Sequence, residues 1–409
     1  KPAEEKLHDL WAKALFLEDA SGNKALLITA DLVAFPKAVS DRIRDDLQVK
    51  MGLSRSQIIL NCSHTHSGPV LSNALTDIYP MNELQKQQVE QYTDRLCVRI
   101  AGLAQKARND AEPVNLCSAN GVVRFQVNRR HNAEKDVTNQ TTLNGPNDFA
   151  VPVLKVTNKK GKIKALAFGY ACHPTVLNSY QWSGDYPGFA QMELERKYKG
   201  ATALFFQGAG ADMNPMPRHS VALAQQFGQE LAAAVVRVLN EEMKALDPQL
   251  GTAYSEIDLE LNPAFSKEEL ERLKSMGKTE KGYIAYKSKW AERMLTELDQ
   301  HGKLPASYPY PVQVWRIGDQ LLTALGGEVL VSYSIQLKRI LGSELFVLGY
   351  SNDVMTYIPS EDEIRRGGYE VESAPMVFGM PSTWKTGIEE KIIGEVIKQA
   401  QQVKPLPDK

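Results

Sequence analysis

Hydrophobic residues along the chain form short apolar runs that alternate with longer segments of helical period. The runs KALLITADLV and SQIILNCS are uninterrupted and aliphatic, which is typical of strands buried on both faces. The first is followed by PKAVSDRIRDDLQVKMG, which predicts a helix ending at Gly52. The second is followed by residues 83–111, where apolar side chains recur every three or four positions, as in an amphipathic helix. Two strand–helix units in succession predict an α/β fold.

The middle of the chain continues this alternation. The predicted elements are, in order, a polar loop (QVNRRHNAEKDVTNQTTLNGPNDFA), the strands VPVLKVTN and KIKALAFGYACHP joined by a KKGK turn, the helix PGFAQMELERKYKG and the strand ATALFFQGAGAD. In that helix Pro187 suits the first turn and Gly200 the end.

The last third combines a charged segment with a predicted hairpin. Residues 266–302 have a helical period and many charges, which predicts a helical insertion at the surface. PVQVWRIGDQLLTALGGE predicts a hairpin turning at Gly318-Asp319, and a helix is expected from Glu328 to Ile340, followed by the strand ELFVLGYS. With no repeat or low-complexity linker, residues 1–409 are predicted to form a single large domain with mixed β-sheets flanked by helices.

Composition excludes several partners. A net charge of −1 gives no electrostatic reason to expect nucleic acid or an anionic membrane surface, and the longest apolar runs are too short for a transmembrane segment. The four cysteines show no CxxC spacing, and we expect Cys62 and Cys172 to be buried apolar residues rather than a disulfide. The chain starts at Lys1 without methionine or an apolar leader, so we expect a mature product from which a signal peptide was removed. Together with the resemblance described below, this predicts a secreted or periplasmic location.

Candidate chemistry is concentrated where two apolar runs end. NCSHTHSGP places His64 and His66 one residue apart, and in a strand both imidazoles would point to the same side. His173 follows another apolar run, and Pro174 then ends the strand pairing. Strand ends form the ligand crevice of open α/β sheets, which favours a shared site. The residues alone leave two interpretations open: metal ligands, or two solvated imidazoles and a hydrogen-bonded core histidine.

Several longer motifs occur in one order over most of the chain, from about Lys13 to Glu372. They are ITADLVAFP, NCSHTHSGP, ACHPT, GAGADMNP, ALGGE and YSNDVMTYIPSEDEIRRGGYE. In this order they resemble the catalytic domain of the neutral (non-lysosomal) ceramidases, which are zinc-dependent N-acylsphingosine amidohydrolases.

The resemblance implies a zinc ion held by His64, His173, Glu328 and Tyr357. Imidazole nitrogen and carboxylate oxygen are ligands that Zn²⁺ favours, whereas a tyrosine ligand is unusual and a packed aromatic is the alternative for Tyr357. Glu328 is expected to open a helix, where a carboxylate also interacts favourably with the helix dipole.

The resemblance also implies catalytic roles. His66 would be the general base toward a zinc-bound water, and Arg129 and Tyr369 would stabilise the oxyanion. For the last two, a surface charge and a loop aromatic are the alternatives. Asn214 stands where ceramidases have the serine of a GD-x-S-P loop, so a serine nucleophile is excluded there, although its amide can still donate a hydrogen bond.

These observations predict a zinc-dependent amidohydrolase that cleaves a linear amide, ceramide or a related N-acyl lipid, by attack of metal-bound water. The alternatives are hydrolysis of a different amide or an ester at the same zinc site, and a non-catalytic module that binds lipids or glycans. A base beside the metal argues against the binding module. Because the chain ends near Lys409, we expect no C-terminal β-sandwich domain of the kind that ceramidases carry.

Overall fold

The structure is a computed structural model that describes residues 2–140, 142–276 and 286–403. Its strands are β1 (Glu5–Lys6), β2 (Ala12–Glu18), β3 (Lys24–Ala30), β4 (Ile58–Cys62), β5 (Val114–Val122), β6 (Gln126–Asn128), β7 (Ala150–Asn158), β8 (Ile163–Tyr170), β9 (Gln181–Trp182), β10 (Thr202–Gln207), β11 (Met213–Pro215), β12 (Lys244–Ala245), β13 (Leu250–Glu260), β14 (Ser307–Ile317), β15 (Gln320–Leu325), β16 (Glu328–Val329), β17 (Phe346–Leu348) and β18 (Tyr357–Ile358). Its α-helices are α1 (Lys37–Met51), α2 (Glu83–Asn109), α3 (Asp185–Lys197), α4 (Val221–Asn240), α5 (Lys267–Met276), α6 (Tyr286–His301), α7 (Val331–Leu341), α8 (Glu361–Arg366), α9 (Ala374–Val377) and α10 (Ile388–Gln402). Short 3₁₀-helices lie at Arg55–Gln57 and Glu134–Asn139, and one π-helical turn lies at Tyr369–Ser373.

Three sheets carry most of these strands. Their orders are β2-β3-β4, β10-β8-β7-β5-β12 and β13-β14-β15-β17. Each sheet contains both parallel and antiparallel pairs, for example antiparallel β2–β3 beside parallel β3–β4. The predicted α/β fold with mixed sheets is therefore confirmed.

The sheets meet at a shared apolar layer, and helices cover their outer faces. Leu27, Phe206 and Trp315 come from the three different sheets and belong to one buried cluster. On β3 the neighbouring Leu26 and Ile28 instead join a second cluster with residues of α1 and α2. Because side chains alternate across a strand, a strand buried on both faces needs apolar residues at every position, which explains the continuous run in KALLITA.

The predicted ends of several elements are confirmed. α1 ends at Gly52, whose φ of 68° is left-handed, and its N–H donates to the carbonyl of Gln48. The β14–β15 hairpin turns at Gly318 and Asp319, as the sequence predicts. All four cysteines are free, and Cys62 and Cys172 are buried, as expected. Within the described residues, no helix is long and apolar enough to span a bilayer.

The charged segment at 266–302 contains two packed helices, α5 and α6, and its residues 277–285 lie outside the described residues. Leu270, Trp290 and Met294 form a small buried cluster of their own. The indole N–H of Trp290 donates to the carbonyl of Met380, which attaches the pair to the rest of the molecule. The division of the chain into domains stays a prediction.

The expected helix start at Glu328 was wrong. Glu328 lies in β16, parallel to β18, and its backbone N–H donates to the carbonyl of Thr356. Gly327 turns the chain with a φ of 72°, and α7 begins only at Val331, whose N–H donates to the Asp212 carboxylate. The Asp212 carboxylate, which is distant in sequence, therefore caps α7. The Glu328 side chain does not serve as the cap.

Candidate active site

His64 follows β4 but does not continue it. The strand ends at Cys62, and His64 has a φ of 63°, in the left-handed region that non-glycine residues rarely occupy. The expectation that His64 and His66 share a face of an extended strand was therefore wrong, because the chain leaves the strand before reaching them. The buried ring of His64 is held by Nδ1, which lies 2.6 Å from the carbonyl oxygen of Val33.

His173 reaches the same place from the next sheet. Three residues after β8 ends, its backbone N–H donates to the carbonyl of Met213, and its Nδ1 lies 3.1 Å from the carbonyl oxygen of Gly210. The side chain is only 1% exposed. Both histidines are thus oriented by backbone carbonyls at Nδ1, an arrangement typical of metal-ligating imidazoles.

Glu328 and Tyr357 are brought together by the short parallel ladder of β16 and β18. The Glu328 Oε2 atom lies 3.3 Å from His64 Nε2 and 3.1 Å from His173 Nε2. The Tyr357 hydroxyl oxygen lies 3.4 Å from His173 Nε2. The donor atoms of all four residues that the resemblance offers as ligands therefore converge.

Proton positions at this cluster follow from the contacts. A carbonyl oxygen only accepts hydrogen bonds, so each Nδ1 carries a proton, and Nε2 is the nitrogen of each ring that faces Glu328 and is available to a metal ion. Burial lowers the pKa of His173 to about 4, although Glu328 opposes the shift. Burial alone would raise the pKa of Glu328, but His64 and His173 hold it well below its usual range.

Each Nε2 atom lies 3.1–3.3 Å from a carboxylate oxygen, so a proton or a metal ion between them offsets the negative charge of Glu328. Two imidazoles, a carboxylate and a phenol in a buried cluster are a donor set that fits zinc. The site is thus chemically suited to a metal ion.

His66 adds a third imidazole. Its Nε2 lies 3.3 Å from His64 Nε2, and ring nitrogens of His64, His66 and His173 all lie within 4.8 Å of one another. Unlike the other two rings, the His66 side chain is exposed. The geometry suits a base at the open side of the cluster and also allows a third nitrogen ligand.

The backbone around His66 is held by a neighbouring segment. The Thr65 hydroxyl donates to the carbonyl oxygen of Ser183 at 2.7 Å and accepts a hydrogen bond from the N–H of Ser67. The N–H of Ser183 in turn donates to the carbonyl of Ser67. These bonds restrict the position of His66 from both sides.

Arg129 and Tyr369 lie beside Tyr357. The Arg129 guanidinium is 3.2 Å from the Tyr357 hydroxyl and is paired with Glu370 at 2.9–3.0 Å. Burial would lower the pKa of Arg129, but Tyr357 and Glu370 raise it, so the group stays cationic. Tyr369 is 43% exposed, and its ring lies 5.6 Å from that of Tyr357 and 6.0 Å from the guanidinium carbon.

Asn214 lies on β11, which pairs with β6, a short strand at the start of the segment predicted to be a polar loop. The carbonyl of the preceding Met213 accepts a hydrogen bond from the N–H of His173. Arg129 directly follows β6, and its backbone N–H donates to the backbone carbonyl of Asp212. Asn214 is buried, and its Oδ1 atom has no hydrogen-bond partner within the described residues. A buried amide oxygen without a partner is costly, which suits a group that meets a ligand.

Sequence reasoning missed two residues of this network. The Tyr350 hydroxyl lies 3.3 Å from Glu328 Oε2, and its ring packs 4.6 Å from that of His64. Glu370 pairs with Arg129 and also with Arg130 at 2.6 Å. Both fall inside the YSNDVMTYIPSEDEIRRGGYE motif, but nothing in the spacing of that motif indicates which of its polar residues face inward.

The comparisons with known proteins agree with this architecture. A family profile described as neutral/alkaline non-lysosomal ceramidase, N-terminal, matches residues 6–234. This is more than half of the chain, and the protein belongs to that family. A search of curated proteins gave no match.

Two solved structures share the fold. The neutral ceramidase from Pseudomonas aeruginosa superposes with a TM-score of 0.72 at 16% identity, over 99% of this chain and 71% of that one. A ceramidase complexed with C2 gives a TM-score of 0.70 at 16% identity, over 100% of this chain and 74% of that one. The family resemblance stated from the motifs is confirmed, and at this identity the two structures support the fold.

Proposed function

We propose that the protein is a zinc-dependent amidohydrolase that cleaves a linear N-acyl amide of the ceramide type. The observation that carries this proposal is the convergence of two imidazole Nε2 atoms on the Glu328 carboxylate, beside the Tyr357 hydroxyl. His64, His173, Glu328 and Tyr357 would hold the ion. When bound, zinc polarises a carbonyl and lowers the pKa of a coordinated water to about 7.

His66 would take the proton of the attacking water at Nε2. This atom is the ring nitrogen that lies 3.3 Å from His64 Nε2, and the His66 side chain is exposed, so substrate and water would reach the ring from solvent. The same imidazolium would then protonate the leaving amine, as a general base does when it returns its proton.

Arg129 would stabilise the negative charge that develops on the carbonyl oxygen. Its pairing with Glu370 fixes the guanidinium before substrate binds, and a charge that is already oriented needs no reorganisation during reaction. Tyr369 is placed at the exposed edge beside Arg129, from where its hydroxyl could donate to the same oxygen.

Asn214 would orient the scissile group through its amide. With asparagine in place of serine, no hydroxyl nucleophile is present at this position, so no acyl-enzyme forms there. The same replacement supports a second candidate function, the hydrolysis of a different amide or an ester at this site. A secreted or periplasmic location stays a prediction from the resemblance.

The test is hydrolysis of a panel of N-acyl substrates by zinc-loaded and chelated protein, with the released acid and amine quantified. We expect amide turnover that a chelator abolishes and zinc restores. Turnover that is unchanged after verified metal removal would overturn the proposal, and turnover of esters alone would favour the second candidate.

A further inference from the structure

A cavity of about 160 Å³ lies beside the proposed metal site without including its ligands. It is bounded by the start of α1, the turn at 73–75 and the segments 353–355 and 378–380. One wall is shared with the metal site, because Ala34 follows the carbonyl that holds His64 and Phe378 packs against the ring of Tyr357. The cavity is thus a neighbour of the proposed reaction centre.

The lining is apolar except for a few groups, of which Asp353 is the most buried at 4% exposure. Its carboxylate accepts a hydrogen bond from the Tyr308 hydroxyl at 2.7 Å. Within the described ranges it forms no ion pair, since the cation of the lining, Lys37, is paired with Asp41 and Glu256. Burial raises the pKa of Asp353 to about 7, although Tyr308 opposes the shift.

Across the described part of the chain, the charges around the cavity leave Asp353 without a cation. Next to the lining, Lys37 pairs with Asp41 and Glu256, and Asp41 also pairs with Arg55, so these two carboxylates have cationic partners and Asp353, among the residues described, does not. A buried carboxylate with one hydroxyl donor is under-satisfied, because a carboxylate can accept about four hydrogen bonds. A ligand that brings N–H donors and positive charge would supply what the site lacks.

We propose that this cavity binds a small primary ammonium ion with a short alkyl body. The ammonium group would donate to the Asp353 carboxylate, and the alkyl chain would pack against Met355 and Phe378. An engineered apolar cavity of about 150 Å³ binds benzene, so about six or seven heavy atoms suit this volume. Hydrolysis of an N-acyl amide also releases an amine. This last argument rests on the proposed function, whereas the others do not.

Calorimetric titration with n-hexylammonium and 1-hexanol tests the proposal at about pH 8.5, where a carboxylate is ionised and an alkylamine is protonated. The zinc-loaded protein should bind the ammonium about 10-fold or more tightly than the alcohol. Asp353→Asn keeps the shape and should remove this preference. Asp46→Asn, a surface change on α1, should retain it.

Each other result overturns the proposal. Equal affinity for the two probes would identify a purely apolar cavity, and no binding would exclude a site. Binding that survives Asp353→Asn but is lost in His64→Ala would mean that the amine binds at the metal. Since no probe is hydrolysed, these outcomes are independent of whether the protein turns over amides.

Discussion

Glu328 and Tyr357 are direct partners in a two-residue parallel ladder, although 28 residues of chain separate them. The ladder presents a carboxylate and a phenol to the imidazoles of His64 and His173. These two histidines come from the ends of strands in two other sheets. The proposed metal site therefore lies where the β16–β18 pair meets the strand ends of two of the three larger sheets. The predictions for this site test contacts between segments that are distant in sequence.

We expect one zinc ion per chain, measured by elemental analysis of protein purified without added metal. Glu328→Gln should weaken zinc binding by more than about 100-fold in chelator competition, since loss of an outer partner alone costs 10- to 100-fold. The surface variant Glu344→Gln is the control. Protein that holds only calcium or magnesium would contradict the assignment of His64 and His173.

His66→Ala should abolish turnover and leave the zinc content unchanged, because the exposed imidazole is proposed as a base and not as a ligand. His64→Ala and His173→Ala should lose metal and activity together. Zinc analysis beside steady-state kinetics separates the two roles. Loss of zinc from the His66→Ala variant would instead identify His66 as a third nitrogen ligand.

Thr65→Val should lower kcat about 10-fold with little change in KM or zinc content. The substitution removes the hydroxyl that links residues 65–67 to Ser183, so the position of His66 is less restricted. Loss of a buried hydrogen bond costs about 1–3 kcal/mol, and the lower end of this range corresponds to about 10-fold in rate. Thr65→Ser keeps the hydroxyl and should restore kcat. A variant that melts earlier but turns over normally would limit Thr65 to a structural role.

Asn214→Ala should lower kcat on the order of 100-fold if its amide meets the oxyanion. Asn214→Ser should keep zinc and at most shift preference toward ceramide, and mass spectrometry of quenched enzyme should find no acyl adduct. An unchanged kcat in Asn214→Ala, or a trapped acyl adduct on the chain, would show that Asn214 does not have the proposed role of orienting the scissile group.

Asp185 should make stability depend on pH. Burial raises its pKa from 3.8 to about 7, so the folded state binds the proton more tightly than the unfolded state. Its contribution is therefore fully present below pH 3.8 and is lost as the pH rises to about 7, a change of a few kcal/mol. Denaturation from pH 4 to 8 should show a flatter profile for Asp185→Asn than for wild type, and equal profiles would refute this linkage.

Elements with strong local signals follow from the sequence alone. The apolar period of α2, the glycine that ends α1 and the two-residue hairpin turn at Gly318-Asp319 are all set by neighbours within a few residues. Local periodicity and turn chemistry act over the same range, which is why these predictions are confirmed. Family membership also follows, because the order of motifs along the chain is itself a property of the sequence.

Only the tertiary structure decided how the site is built. The strand position of Glu328 depends on Gly327, on pairing with residues near Tyr357 and on the distant Asp212 carboxylate, which caps α7 at Val331. The left-handed turn at His64 and the contacts of Tyr350 and Glu370 likewise depend on chain segments that are remote in sequence. Sequence patterns report which face of an element is apolar, whereas the convergence of polar side chains from three sheets is fixed by packing, which no local pattern encodes.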